Sequence, residues 1–363
     1  MFPMKNHTGR MLAALPVLCA AMTSFALAAD EARAVAKQDR DPLFLTITNG
    51  AVNYLAVINT RTKETNFVPT GGTGGASGNA GGVAVEGKLA AAVNFGSMNV
   101  TVFVRRGDSM QPTQVIKTAS QPVSVAFGHN HLLVLGVTSA ESFPVYGANI
   151  GKDPDGSVDL LKGDKSAAQI VSFDGGAVYA EKSGSVAMLN LSTNGAPGLS
   201  GPNKPIQLPP APNNDTPFGM IGRGANLYIT IAHSNLETLV VNGQIISSAG
   251  GPTPYKDAAG GFLHAPCWNA LSGQFLYSTD SPAKQILRYL VSDNSVFYDK
   301  AGVAKFSGSP TDLTADDNVL AVIDGGDGAT SNATLFDIDS EGELKLRFAV
   351  KITGPINGAA IIH

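Results

Sequence analysis

The chain has 363 residues, with 25 Lys and Arg against 29 Asp and Glu and a formal net charge of −4 at pH 7. That mild acidity argues against nucleic acid or an anionic membrane as partner, since both need a basic face. Two cysteines exclude a disulfide framework, so stability must come from a core that this length can amply fill.

Residues 1–28 read as a secretory signal. Lys5 and Arg10 supply a positive start, Met11 to Ala21 an apolar run, and Ala26-Leu27-Ala28 a small-x-small cleavage site. The run is shorter than the roughly 20 residues of a spanning helix, so a soluble exported protein, periplasmic or secreted, is expected. Cys19 belongs to the signal. Cys267 is then the lone mature cysteine, and free cysteine is usually buried. Residues 29–42 are charged, lack an apolar face and read as a tether.

From Leu43 the pattern becomes all-β, and residues 43–363 are expected to form one domain. Runs of four to seven residues rich in Val, Leu, Phe, Tyr and Thr alternate with Gly, Asn, Asp and Pro turns. Six anchor strands open on a small residue or proline: Gly82-Val83-Ala84-Val85, Pro122-Val123-Ser124-Val125, Ala168-Gln169-Ile170-Val171, Pro217-Phe218-Gly219-Met220, Pro266-Cys267-Trp268-Asn269 and Pro310-Thr311-Asp312-Leu313. They recur at roughly the 40 to 50 residues of a four-stranded propeller blade. Second strands follow, such as Leu89 to Val93 and Phe275 to Ser278, then third strands such as Val100 to Val104; fourth strands are the least distinct. At the front, Leu43 to Thr48, Tyr54 to Asn59 and Thr65 to Val68 look like a blade lacking its first strand. Gly354 to Ile361 resembles the missing anchor, so a seventh blade shared by both termini closes the ring and removes its exposed edge. The glycine-rich Gly71 to Gly82 and the Pro and Asn-rich Asn194 to Pro217 read as loops.

In an antiparallel blade, the turn from second to third strand and the joint into the next blade share one face of the disc. That face collects Asn49, Asn94, Thr138, Glu181, His233, Asp280 and Asp324 from second-strand ends, with Asp215 and His264 from joints. Asn49, Asn94 and Asp324 also suit turns by bonding nearby backbone. His264 and Asp280 should emerge side by side.

Other motifs stay short of a site. His129-Asn130-His131 lacks the third ligand of a zinc site. Asp324-Gly325-Gly326-Asp327-Gly328 lacks the remaining oxygens of a calcium loop. Gly72-Thr73-Gly74-Gly75 has no strand-to-helix context for phosphate, and no Gly-x-Ser-x-Gly elbow occurs. No metal or cofactor is therefore expected, and Cys267 and Trp268 read as packing.

Ala265-Pro266-Cys267-Trp268 before Gly273-Gln274-Phe275-Leu276-Tyr277-Ser278-Thr279-Asp280, then Ser309-Pro310-Thr311-Asp312-Leu313 and Ile356-Asn357-Gly358-Ala359-Ala360, resemble the seven-bladed lactonase family. That family includes 6-phosphogluconolactonases and carboxymuconate cyclases. The strand ends also look like the Tyr-Val-Thr-Asn repeats of surface-layer propellers. The resemblance, from Leu43 to the C-terminus, implies a seven-bladed β-propeller and a His, Arg and Glu set around the channel. Such a set holds a carboxylate-bearing lactone while one group moves a proton. On that footing His264, His233, Glu181 and Asp280 are the candidate catalytic residues. Asn94, Asp324, Arg288 and Arg223 are the candidate substrate-binding ones, the arginines as anion clamps. Arg223 reads as part of a turn on the opposite face. The histidine pair that many bacterial phosphogluconolactonases carry before an inner strand is absent from the joints. The function expected is metal-independent hydrolysis or formation of a small acidic lactone; the alternative is a non-catalytic ligand-binding or protein-scaffold propeller with a protein partner.

Overall fold

The punctuated strands fold into seven antiparallel sheets around one axis, in a computed structural model that describes residues 41–191 and 198–363. Residues 1–40, which hold the expected signal and most of the expected tether, lie outside the described residues. Counting the shared blade as the first, the inner strands are Asn357–Ile362, Val83–Glu86, Pro122–Gly128, Ala167–Phe173, Pro217–Arg223, Pro266–Ser272 and Pro310–Asp316. Each inner strand packs against the inner strands of its two neighbours, and the ring is closed. This is the seven-bladed β-propeller expected from the sequence.

Ring closure rests on antiparallel pairing of Leu43 with Ile362, Phe44 with Ile361 and Leu45 with Ala360. Leu43–Ile47 is fully buried because each blade's faces are covered by its neighbours, which is why such strands read as continuous apolar runs. Fourth strands form the rim and alternate instead. Of Ser109–Lys117, only Met110 and Ile116 are buried. The third blade departs most, splitting its fourth position into Asn149–Ile150 and Gly156–Asp159. The stretch 194–217, expected as a loop, holds the fourth strand of its blade, Ser200–Pro205, paired with Ala187, Met188 and Asn190; its residues 194–197 lie outside the described ones.

Two features of the inner strands position the site. First, six of them shift register just after they begin, between Pro122 and Ser124, Ala167 and Gln169, Pro217 and Met220, Pro266 and Asn269, Pro310 and Asp312, and Asn357 and Ala360. An irregularity of this kind re-aims side chains, and four of the residues that follow it, Gln169, Met220, Asn269 and Asp312, line the axis. Second, the glycine-rich loop crosses the axis on the joint face. Ala80 N donates to Ala168 O, Trp268 Nε1 to Asn79 O, Asn357 Nδ2 to Asn79 Oδ1 and Lys182 Nζ to Gly78 O. Gly81, at φ +67°, completes the crossing in a left-handed conformation that glycine adopts without cost.

Phe44 is fully buried in the cluster between the first and seventh blades. Phe44→Ala is expected to cost about 3–5 kcal/mol, measured as a lowered urea midpoint, while Phe67→Ala on the exposed rim should stay within about 0.5 kcal/mol.

Candidate functional site

The residues gathered on the joint face are spent on holding blades to their joints. Asp280, wholly buried, accepts from Ala265 N at 2.9 Å and Gln285 Nε2 at 2.8 Å and meets His264 Nδ1 at 2.7 Å. Glu181 accepts from Lys162 N and Gly163 N, and its burial raises its pKa above the ordinary carboxylate value. Asn94 bonds Thr70, Asn53, Asn99 and Thr101. In these three cases the end of a second strand grips the segment leading into its own blade. Asp324 accepts from Gly326 N and Asn332 Nδ2 within its own turn.

His233 meets Thr216 Oγ1 at 2.8 Å and stacks on Phe262. His264 and Asp280 do stand side by side, but among the described residues neither Glu181 nor an arginine bonds to them. Arg288 is buried and bonds Asp299, Glu343 and the carbonyl of Glu341, so it is no anion clamp at the joint face. Arg223 lies on the opposite face, as expected, and donates to Gly273 O. Beside Asp280, burial pushes the Cys267 thiol up to about 12, so it is no thiolate nucleophile. Trp268 packs edge-on against Phe218.

The space at the axis is elsewhere. A cavity of about 250 Å³ is lined by all seven inner strands beneath the glycine-rich loop. Its wall is half-buried toward the first-to-second-strand turns, at Phe127, Ser172, Ile221, Leu271 and Thr314, so it opens on the face away from the loop. Asp312 is the one ionisable side chain in this lining. Its Oδ2 accepts from Gly81 N at 3.0 Å and its Oδ1 from Leu313 N at 2.8 Å. Desolvation outweighs these bonds and a third from Ala359 N, and pushes the carboxyl up to about 7.

Gln169 stands at the same roof. Its Oε1 accepts from Met220 N at 2.6 Å, and its Nε2 lies 3.9 Å from where a side chain on Gly81 would begin. A carboxyl that exchanges protons near neutrality thus faces the cavity together with an amide donor. Such a pair suits general acid–base chemistry on a polarised carbonyl. Ser172 and Thr314 add hydroxyls with no hydrogen bond to the protein among the described residues. Behind the wall, Glu237 bonds Asn269 and Ser278, and complete burial raises its pKa well above the usual range. Among the described residues no three metal-ligating side chains cluster.

Asp312 and Gln169 stand inside strands that were read as architectural anchors. A signal was present in the string: a carboxylate and an amide within inner strands that otherwise read as apolar.

No protein-family model matches the chain, and no curated protein does. Solved structures are similar in fold. A protein from Lactobacillus plantarum superposes with TM-score 0.66 at 13% identity, over 89% of this chain and 100% of its own. A candidate 6-phosphogluconolactonase from Bacteroides uniformis gives 0.65 and 13%, over 89% and 100%. Another from Bacteroides fragilis gives 0.63 and 12%, over 89% and 98%. At these identities the likeness shows the seven-bladed fold that the sequence pattern implied.

Asp312 sets a pH signature. With its carboxyl raised from 3.8 to about 7 on folding, the folded protein holds this proton more tightly than the unfolded chain. The contribution is complete below about pH 4 and is lost as pH rises toward 7, at up to about 1.4 kcal/mol per pH unit. Urea midpoints from pH 4 to 8 should therefore fall more steeply for the native protein than for Asp312→Asn.

Proposed function

We propose that the protein is an exported, lactonase-like propeller that opens a small lactone inside the axial cavity without a metal. The observation that carries this reading is Asp312, the one ionisable group in the cavity lining, with an amide donor at the same roof. The similarity in fold to candidate 6-phosphogluconolactonases supports it. In the reaction the Asp312 carboxylate takes a proton from a water molecule as the water oxygen attacks the lactone carbonyl carbon. Gln169 Nε2 donates to the carbonyl oxygen, where negative charge develops. The bond from that carbon to the ring oxygen then breaks, and the ring oxygen takes up the proton held by Asp312. Lactone and water leave as one hydroxy acid, and Asp312 is restored. A single carboxylate in the wall is short of the three protein ligands of a catalytic zinc, in keeping with a metal-free route.

A second reading is a non-catalytic scaffold propeller with a protein partner. It is favoured by one observation, that Asn94, Glu181 and Asp280 are consumed in holding joints.

The two readings separate by kinetics. On a panel of small lactones, kcat/KM should rise with pH through an inflection near 7, where Asp312 loses its proton. Asp312→Asn should lower kcat by about 10²–10⁴-fold, the usual share of a general base. A loss carried by His264→Ala instead would assign catalysis to the His264 and Asp280 pair. Absence of turnover across the panel would leave the scaffold.

A further inference from the structure

We infer that the axial cavity selects a neutral, hydroxyl-bearing lactone over the same ring carrying a carboxylate or phosphate, an inference that rests on the lactonase reading of this cavity. Its lining contains one carboxyl, Asp312, and no Lys, Arg or His. The other polar groups available to a ligand are uncharged: Gln169 Nε2, Ser172 Oγ and Thr314 Oγ1, which make no hydrogen bond to the protein among the described residues. Amide and hydroxyl groups match the alternating donors and acceptors of a polyhydroxylated ring. They cannot neutralise a buried anion, and in a confined site of low dielectric an anion near Asp312 is repelled.

Three cations are held by other groups. Lys182 bonds the carbonyl of Gly78 on the joint face, Arg288 is held by Asp299 and Glu343, and Arg223 reaches across to Gly273 O. The first-to-second-strand turns around the cavity mouth carry Glu86, Asp174, Asp316 and Asp317 against Lys88 and Arg223, while of the histidines there His129 bonds the carbonyl of Phe173, His131 is paired with Asp155 and His363 with Asp316. An approaching anion therefore meets an acidic rim before it meets Asp312. The same charge distribution acts on product release. A neutral ring enters, ring opening creates a carboxylic acid that ionises on leaving the site, and the resulting anion has no cation to hold it. Product inhibition should therefore be weak, while the solution equilibrium between lactone and hydroxy acid sets the net direction.

The test compares glucono-1,5-lactone with its 6-phosphate, two probes that share a ring and differ in charge. Turnover above the spontaneous rate and binding by calorimetry to Asp312→Asn are both read. The expected result is a kcat/KM at least tenfold higher for the neutral lactone, with gluconate inhibiting weakly. Thr314→Lys, or Ser172→Lys should the first fail to fold, places a cation in the wall and should narrow or invert that ratio. Equal turnover, or preference for the phosphate, overturns the selectivity and leaves the lactonase reading standing. Selective binding of the neutral ring without turnover supports the selectivity and overturns the lactonase reading. No turnover and no binding of either probe overturns both.

Discussion

The structure depends on one pairing, the ladder between Leu43–Leu45 and Ala360–Ile362. Seven sheets radiating from an axis do not define a cavity until the last inner strand lies beside the first. Here that strand comes from the opposite end of the chain. Closure leaves no blade face uncovered and lets every inner strand present one edge to the axis. Arg105 Nη1, deep in the second blade, donates to the carbonyl of Ile362 at 2.7 Å and anchors the returning strand to the next blade. The cavity is thus a property of the ring, and no single blade contains it.

Polar residues in this fold divide by position along the strand. At the ends of second strands, where backbone amides of the incoming joint point inward, a carboxylate or amide is the cheapest way to satisfy them. Asp280 and Glu181 do so in two different blades, and in a third Asn94 accepts from the Thr70 hydroxyl of the joint instead. Just after the register shift of the inner strand, the side chain turns to the axis, and Gln169 and Asp312 are carried there. The two classes look alike in a sequence. Their difference lies in which unpaired backbone groups are within reach.

That division explains what the sequence discloses. The period, the closing blade and the adjacency of His264 and Asp280 follow from turn residues and strand alternation, which are local. The fourth strands are faint because rim strands such as Ser109–Lys117 bury too few side chains to leave a pattern, and Ser200–Pro205 is hidden by its Pro, Gly and Asn content. The axial residues are harder to read for another reason. A register shift is a pairing property, decided by the partner strand, so period-two counting cannot tell which residue of Pro310-Thr311-Asp312 faces the axis. The glycine-rich segment is visible as a loop, but its crossing of the axis depends on carbonyls and amides from several separate blades.

Two buried carboxyls show how placement separates structure from chemistry. Glu237 and Asp312 are both stripped of water, and both are raised above the ordinary range. Glu237 is bonded by Asn269 and Ser278 between the fifth and sixth blades, outside the cavity lining. Asp312 accepts from three backbone amides, charge-assisted bonds that favour its ionised form, and its pKa still stays raised because the surrounding strands exclude solvent. A well-packed apolar residue at that position would carry no such desolvation cost, as is often true where buried charges are replaced. Retaining a carboxyl there costs desolvation at neutral pH; it fastens Gly81, Leu313 and Ala359 and keeps in the cavity the group on which the proposed reaction relies. Local rules are most often broken where a protein acts, and Asp312 is where this ring breaks them.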